Sequence, residues 1–259
     1  MDLGLDGRTA VVTGASKGIG LAITRGLVAE GVHVFAGART SSADLDALAA
    51  TGAVTPVEVD LATVEGPARL VAAAGDAVDI LVNNVGLAQP RVDGFLDVTE
   101  EMWQASLNLN LMSAVRATRS VLPVMLARGS GVIVNVGSVN AHLPDPRVID
   151  YSAAKAALLS FAKSVSKEFG GRGIRINSVA PGPVATDLWL GQDGVAARVS
   201  RASGLSPQDV AAGAAAEMVT GRFSRPDEVA DLVVLLASDR TANVTGADFS
   251  IDGGLITTI

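Results

Sequence analysis

The only tyrosine of the 259-residue chain, Tyr151, is followed four residues later by Lys155 and preceded thirteen residues earlier by Ser138. Residues four apart in a helix share a face, so the lysine ammonium can lie close to the phenol. An adjacent cation favours the phenolate and lowers the tyrosine pKa from about 10 toward neutrality. This spacing indicates a tyrosine that transfers a proton as a general acid or base. A tyrosine and a lysine on the surface of an ordinary amphipathic helix would give the same pattern.

A glycine-rich segment between Thr13 and Gly20 follows a β-branched run and opens a helical pattern. Its glycines permit positive φ and let backbone N–H groups approach a pyrophosphate at the helix N-terminus, where the helix dipole favours anions. The spacing is G-x-x-x-G-x-G, so the G-x-G-x-x-G dinucleotide fingerprint is not matched literally, and a plain tight turn is the alternative. The predicted phosphate-binding residues are Gly14, Ser16, Lys17, Gly18, Ile19 and Gly20.

The end of the second predicted strand indicates which dinucleotide is bound. In dinucleotide-binding folds an acidic residue at this point binds the ribose 2′-hydroxyl, whereas a cation accommodates a 2′-phosphate. No acidic residue lies between His33 and Ser42, but Arg39 does, and Lys17 in the glycine segment can reach the same region. We therefore expect NADP(H) in preference to NAD(H). If both cations are solvated surface charges, the choice of cofactor stays open.

Short β-branched runs alternate with longer helical patterns along the chain. The predicted strands are Thr9–Thr13, His33–Ala36, Thr55–Val59, Asp79–Val82, Gly131–Val136, Arg175–Val179 and Ala247–Ile251. The predicted helices are Ile19–Ala29, Asp44–Ala50, Pro67–Ala74, Glu100–Arg128, Ser152–Phe169 and Pro226–Ser238. This alternation predicts an α/β fold, a Rossmann-like doubly wound parallel sheet of about seven strands with helices on both faces.

One segment, Leu188–Thr220, lies outside this alternation. It contains a helix start at Ser206-Pro207 and an alanine-rich helical pattern over Gln208–Met218. A late insertion in a doubly wound sheet often covers the ligand crevice, so we expect residues 188–220 to form a substrate lid. No linker or repeat divides the chain, and residues 1–259 are expected to form a single dinucleotide-binding domain.

Composition argues against several other classes of protein. The net charge is −7 and no basic cluster is present, which argues against nucleic-acid binding. The chain has no cysteine, and its two histidines, His33 and His142, lack a carboxylate pattern, so we expect no metal site. No apolar stretch is long enough to span a membrane and no signal peptide precedes the first strand, so a cytoplasmic protein is expected.

Together these motifs resemble the short-chain dehydrogenase/reductase family in its single-domain branch. The resemblance covers essentially the whole chain and rests on motifs that occur in the family's order. They are the glycine segment, Asn83-Asn84-Val85-Gly86, Asn110, the set of Ser138, Tyr151 and Lys155, and Pro181-Gly182. The resemblance implies that Asn110 completes a catalytic set with Ser138, Tyr151 and Lys155, and that it holds a water in a proton relay to Lys155.

The resemblance also implies further contacts with the cofactor. Asp60 and Leu61 would lie at the adenine, and Thr186 with the Val184 backbone would bind the nicotinamide carboxamide. The implied cofactor contacts beyond the glycine segment and Arg39 are Asp60, Leu61, Asn83, Gly86, Tyr151, Lys155, Pro181, Gly182, Val184 and Thr186.

The implied activity is NADP(H)-dependent interconversion of a ketone and a secondary alcohol. As hydride reaches the carbonyl carbon, the oxygen gathers negative charge that must be stabilised and protonated. Ser138 would donate a hydrogen bond to this oxygen, and Tyr151 would supply the proton. An NAD-dependent alcohol or polyol dehydrogenase of the same fold is one alternative. A non-catalytic dinucleotide-sensing regulator is an alternative of another class.

The expected substrate is a small, moderately hydrophobic carbonyl compound, such as a 3-oxoacyl, polyketide-like or cyclic ketone. Mostly apolar residues around the mouth between Ser138 and Tyr151 are expected to contact it. They are Leu87, Asn140, Leu143, Leu188, Trp189 and Met218. The resemblance further implies a homotetramer, or a homodimer, paired through the helices Glu100–Arg128 and Ser152–Phe169.

Overall fold

The seven β-branched runs form one parallel sheet in the computed structural model, which describes residues 2–258. The strands are β1 (Thr9–Thr13), β2 (His33–Ala38), β3 (Val54–Glu58), β4 (Ile80–Asn83), β5 (Gly131–Val136), β6 (Ile174–Pro181) and β7 (Asp248–Ile251). Their order is β3-β2-β1-β4-β5-β6-β7, and every neighbouring pair is parallel. The predicted Rossmann-like fold is confirmed.

Helices cover both faces of this sheet. They are α1 (Gly18–Ala29), α2 (Ala43–Ala50), α3 (Gly66–Ala73), α4 (Glu100–Leu107), α5 (Ser113–Arg128), α6 (Ile149–Phe169), α7 (Asp187–Leu190), α8 (Val195–Ser203), α9 (Pro207–Ala216) and α10 (Pro226–Ala237). Within residues 2–258, none of the helices combines the length and the apolar content needed to cross a lipid bilayer.

Two helical regions differ from the sequence-based prediction. The single helix predicted over Glu100–Arg128 is interrupted by a π-helical turn at Asn108–Met112, which separates α4 from α5. Helices α7 and α8 have no counterpart among the predicted elements. Neither the start of α7 at Thr186 nor that of α8 at Gly194 has a side-chain cap hydrogen bond.

Alternate residues of each strand pack on opposite faces of the sheet, and both faces are buried. Val12, Val34 and Val134 belong to the core under α1 and α10. Val11 and Ile133 belong to the core under α3, α5 and α6. Burial on both faces explains why the strand sequences are continuous apolar runs rather than alternating patterns.

The strand order reverses between β1 and β4, whose carboxyl ends lie side by side. The chain leaves β1 toward β2 on one side and leaves β4 toward β5 on the other. The two connections therefore diverge and open a crevice at this edge of the sheet. The residues singled out for chemistry follow the ends of β1, β2, β4, β5 and β6, so the fold collects them along this crevice.

Candidate active site

A single cleft of about 1680 Å³ runs along the carboxyl ends of the strands. The glycine segment and the ends of β2 and β3 line one end of it. The ends of β4, β5 and β6 line its middle, and residues of α7, α8 and α9 line the other end. The cleft therefore joins the predicted dinucleotide site to the predicted substrate site.

The glycine segment has the conformation expected of a phosphate site. Gly14 and Gly18 have φ of 68° and 54°, which is the left-handed region that favours glycine. A Cβ at Gly20 would lie 2.1 Å from the Gly14 carbonyl oxygen, so only glycine fits this approach of helix to turn. The residue before α1, Lys17, provides no side-chain cap, so no capping side chain occupies the N-terminus of α1. The segment can receive an anion there.

Two residues not assigned to the site from sequence hold the glycine segment against β4. The Asn84 side chain donates to the carbonyls of Thr13 at 2.9 Å and Gly14 at 3.1 Å. The Thr13 hydroxyl accepts from the N–H groups of Asn84 and Val85. An asparagine directly after a buried strand, opposite the glycine segment, is the signal that could have indicated this link.

The neighbouring Asn83 was predicted to contact the cofactor, and the structure places it elsewhere. Its side chain is buried and donates to Asn135 Oδ1 at 2.9 Å and Thr118 Oγ1 at 3.2 Å. It does not line the cleft, whereas Asn84, Val85 and Gly86 do. Asn83 still lies within β4, where its side chain joins β4 to β5 and α5, and the chain reaches the cleft only after the strand ends.

Two cations face this end of the cleft, Arg39 after β2 and Lys17 in the glycine segment. Arg39 and Lys17 are exposed, line the cleft, and form no ion pair within residues 2–258. The nearby Arg25 differs, because it pairs with Asp44 at 3.1 Å. Two uncompensated positive charges at this point suit an additional phosphate.

The residues predicted at the adenine lie at the same end of the cleft. Asp60 is exposed, and its Oδ1 accepts from the Ala62 N–H at 3.0 Å, which fixes the turn after β3. Leu61 is buried beside it. Both residues line the cleft.

The structure brings Tyr151 and Lys155 together on one face of α6. Lys155 Nζ lies 5.7 Å from the centroid of the Tyr151 ring and donates to the Val136 carbonyl at 2.8 Å. The lysine is only 3% exposed, and burial lowers its pKa to about 8. Ser138, at the end of β5, lines the same part of the cleft.

The expected effect of Lys155 on Tyr151 is not what the structure gives. Burial raises the pKa of Tyr151, and a hydrogen bond with Ser138 offsets only part of that effect. The Lys155 ammonium donates to the Val136 carbonyl and its own charge is disfavoured by burial, so it does not overcome the effect of burial on the tyrosine pKa. The phenol is therefore the protonated form at neutral pH.

Ser138 is oriented by Asn140. The Ser138 hydroxyl accepts from the Asn140 N–H at 3.1 Å and donates to Asn140 Oδ1 at 3.2 Å. The Asn140 amide in turn donates to Ser152 Oγ at 3.4 Å, in the first turns of α6. Asn140, which was expected to contact substrate, thus also ties Ser138 to the helix that carries Tyr151.

Asn110 lies in the π-helical turn, buried behind Gly86. Its Oδ1 accepts from the Leu87 N–H at 2.8 Å, and its Nδ2 donates to the Leu87 and Ser106 carbonyls at 3.1 Å. A Cβ at Gly86 would lie 3.0 Å from Asn110 Oδ1 and 3.3 Å from Lys155 Nζ. The side chains of Asn110 and Lys155 therefore both pack against Gly86, and any larger residue there would require one of them to move. π-Helical turns are frequent at functional sites, and this one turns Asn110 inward.

The chain leaving β6 closes the cleft over the glycine segment. The Gly182 N–H donates to the Ile251 carbonyl at 3.0 Å, and a Cβ at Gly182 would lie 2.9 Å from Asp252 Cα. Thr186 Cγ2 lies 3.3 Å from where a Cβ of Gly18 would stand. All four predicted residues line the cleft, namely Pro181, Gly182, Val184 and Thr186.

Five of the six predicted substrate contacts line the other end of the cleft, namely Leu87, Asn140, Leu143, Leu188 and Trp189. Met218 does not, because it is only 3% exposed and packs beside Gly253 beneath the cleft surface. Its neighbour Glu217 lines the cleft instead. The sequence analysis also missed apolar lining residues of α8 and α9 and the turn between them, namely Val195, Val199, Leu205 and Val210. Helix α8 was not predicted, so two of these residues had no assigned position.

The chain is similar in sequence to known proteins over most of its length. The family model described as short chain dehydrogenase matches residues 8–193. The 3-oxoacyl-(acyl-carrier-protein) reductase of Thermotoga maritima is 34% identical over 261 residues, covering 97% of this chain and 99% of that protein.

Solved structures give the same result. The L-sorbose reductase of Gluconobacter frateurii, complexed with NADPH and L-sorbose, superposes with a TM-score of 0.90 at 34% identity over the whole of both chains. The actinorhodin polyketide ketoreductase with NADPH superposes with a TM-score of 0.89 at 33% identity, covering 97% of this chain and 98% of that chain.

Proposed function

The chain belongs to the short-chain dehydrogenase family, and we propose that it interconverts a ketone and a secondary alcohol with NADP(H). As a member, it is an oxidoreductase of alcohol and carbonyl groups that uses NAD or NADP. One observation carries the finer proposal. Ser138, Tyr151 and Lys155 converge in the same cleft as an open phosphate-binding glycine segment.

The proposed roles follow from the geometry of the side chains. When bound, NADP(H) would supply or accept the hydride at the carbonyl carbon. Ser138 hydrogen-bonds the carbonyl oxygen, and Tyr151 donates the proton to it during reduction. Lys155, buried beside the phenol, holds a positive charge that favours proton release by Tyr151 in this step. Asn110 accepts a hydrogen bond from the Leu87 N–H and lies next to Lys155. This position suits the water relay implied by the family resemblance.

NADP(H) is favoured over NAD(H) by one cation after β2 and another in the glycine segment. Arg39 and Lys17 both face the cleft without a carboxylate partner in the described part of the chain. The solved L-sorbose reductase and actinorhodin ketoreductase were each determined with NADPH. A 2′-phosphate between these two cations would form charge-assisted hydrogen bonds that the 2′-hydroxyl of NAD(H) cannot match.

The substrate end favours a moderately hydrophobic carbonyl compound. Leu143, Leu188 and Trp189 present apolar surface, and the Trp189 ring is held edge-on against Phe223 at 5.1 Å. Residues 188–220 contribute α8 and α9 to this end of the cleft, and we propose that they act as the substrate lid. A 3-oxoacyl or polyketide-type ketone suits this lining.

A homotetramer is the proposed assembly, as the family resemblance implies. Besides their buried core residues, helices α5 and α6 carry apolar residues that are only half-buried and that a partner chain could cover, such as Val115, Leu159, Phe161 and Val165. Light scattering at micromolar protein tests this proposal, since the chain mass is 26.2 kDa and a monomer would contradict it.

Oxidation of NADPH and of NADH against a panel of ketones tests the proposed function. The panel should span acyl thioesters, diketones and cyclic ketones. We expect turnover with at least one ketone and a higher kcat/KM for NADPH than for NADH. Arg39→Asp should reverse or abolish that preference, because it replaces a cation with an anion at the 2′-phosphate position. No turnover of any ketone by protein that still binds NADPH would contradict the reductase proposal.

A further inference from the structure

A buried ion pair joins the segment after β4 to the first turn of α6. Arg91 Nη2 lies 2.5 Å from Asp150 Oδ2, and Arg91 Nε donates to Asp150 Oδ1 at 3.3 Å. The two side chains are 11% and 2% exposed, so both charges are largely removed from water. Asp150 directly precedes Tyr151, which places the ion pair beside the proposed proton donor.

Fold stability is a poor explanation for burying this pair. Removing both charges from water is costly, and replacing a buried pair by apolar residues of similar volume is often neutral or stabilising. The dipole at the start of α6 favours Asp150, but it would also favour an exposed carboxylate there. A bidentate pair does fix geometry, because both guanidinium nitrogens must meet both carboxylate oxygens.

The ion pair holds one end of a wall of the cleft. We call residues 87–91 the wall segment, and Leu87, Ala88 and Pro90 of this segment line the cleft. At its far end, the Asn110 side chain binds both the N–H and the carbonyl of Leu87. The wall segment is therefore fixed to the π-helical turn at one end and to α6 by Arg91 at the other.

A second contact reinforces the Arg91 end. The Arg91 N–H donates to the Arg147 carbonyl at 2.6 Å, just before α6 begins. The Arg147 guanidinium binds Asp145 at 2.9 Å, so Asp150 is left to Arg91. The side chain and the backbone of Arg91 thus both hold the wall segment against the start of α6, the helix that carries Tyr151.

We propose that Arg91 and Asp150 are positioning residues that set the wall segment relative to the Tyr151 phenol. The wall segment in turn sets where the substrate ketone lies against that phenol. This inference rests on the proposed function, and it assigns neither residue a proton to transfer.

Arg91→Met tests the assignment, because it keeps the length of the side chain and removes the charge. We expect kcat/KM for the ketone to fall about ten- to hundredfold, since a shift of about 1 Å in substrate position can have an effect of that size. The dissociation constant of NADPH is expected to stay unchanged, because the glycine segment and Arg39 lie at the other end of the cleft. Arg91→Lys should restore part of the loss, since it keeps one charged hydrogen bond.

Arg128→Met is a matched control. It breaks an arginine–aspartate pair of similar length, Arg128 to Asp79 at 2.6 Å, at the opposite edge of the sheet. This control is expected to keep the wild-type kcat/KM. Wild-type kinetics for folded Arg91→Met would overturn the proposal, and so would an equal loss in Arg128→Met.

If Arg91→Met leaves an uncompensated carboxylate and does not fold, Arg91→Met/Asp150→Leu removes both charges. We expect this double variant to fold and still to show the loss in kcat/KM, whereas full activity would overturn the need for an ion pair. Hydrogen exchange of the backbone amides at 87–91, excluding Pro90, gives a readout without any substrate. Faster exchange there in either variant supports the positioning role even if no ketone is found, and unchanged exchange would contradict it.

Discussion

At the residue scale, burial shifts the pKa values of the two central side chains in opposite directions. Tyr151 has a pKa above its ordinary value, so the phenol holds its proton at neutral pH and is ready to give it to a ketone oxygen. Oxidation of an alcohol needs the phenolate. We therefore expect kcat/KM for alcohol oxidation to rise with pH, since kcat/KM reports the ionisation of the free enzyme. The structure thus keeps Tyr151 in the form that the proposed reduction needs, whereas the spacing of Tyr151 and Lys155 alone predicted a lowered pKa.

Replacing Tyr151 with Phe keeps the ring and removes the proton. We expect kcat for ketone reduction to fall by about 10²- to 10⁴-fold, the usual contribution of a positioned general acid. NADPH affinity, followed by fluorescence titration, should persist, since the glycine segment is untouched. Near-normal turnover in this variant would show that another group supplies the proton.

The buried Lys155 makes the stability of the protein depend on pH in a defined direction. Its folded pKa is about 8, below the ordinary 10.5. Below pH 8 both folded and unfolded chains carry the proton, so burial destabilises the fold in full. Between 8 and 10.5 the unfolded chain binds more protons at this site, so the folded state gains stability as the pH rises.

Lys155→Met removes this dependence. We expect the free energy of unfolding of the variant, relative to the native protein, to be most favourable below pH 8. The unfolding free energy of the variant minus that of the native protein should then fall by about 3 kcal/mol as the pH rises to 10.5. This corresponds to about 1.4 kcal/mol for each unit of pKa shift. Urea unfolding of both proteins at pH 7 and near pH 10 measures the difference, and a difference independent of pH would refute the burial of a charged lysine.

At the element scale, the sequence predicts best what burial alone decides. The run Gly131–Val136 is buried along its whole length and is predicted as a strand with the correct bounds. The π-helical turn at Asn108–Met112 has no local signal, because its extra residue is stabilised by the contacts of Asn110 with Leu87 and Ser106. Helix α8 likewise forms through packing, with Ala196 buried and no capping side chain. Tertiary contacts of this kind cannot be derived from spacing.

Helix α1 packs so closely against the glycine segment that adding one methyl group at Gly20 is expected to weaken NADPH binding. Gly20→Ala would place a Cβ 2.1 Å from the Gly14 carbonyl, so the turn must open and its N–H groups must move. We expect NADPH affinity to fall by at least about tenfold, as misplaced donors lose their charge-assisted bonds. Gly171→Ala is the control, because no atom lies within 4 Å of its added Cβ. Equal NADPH affinity in both variants would contradict this account of the phosphate site.

At the scale of the whole molecule, positive charge is divided unequally along the cleft. The cofactor end holds Lys17 and Arg39, which form no ion pair within residues 2–258, together with the exposed carboxylate of Asp60. The lid end holds carboxylates at Asp209 and Glu217, and its Arg147 is bonded to Asp145. That hydrogen bond raises the pKa of Arg147, and the charge of Glu217 acts in the same direction. An anionic dinucleotide and an uncharged ketone suit this division.

The division of charge predicts discrimination between ketones that differ in charge. Ethyl acetoacetate should be reduced with a higher kcat/KM than acetoacetate, whose carboxylate would enter beside Glu217. Glu217→Gln should raise kcat/KM for acetoacetate about two- to fivefold, the size expected for one charge at several Å in a solvated cleft, and should leave the ester unchanged. Asp231→Asn removes the same charge from an exposed position on α10 outside the cleft and should change neither value. Because the variants are compared on each substrate separately, the greater hydrophobicity of the ester does not affect the result. A similar gain for acetoacetate in both variants would mean that net charge, rather than the lining of the lid end, controls the selectivity.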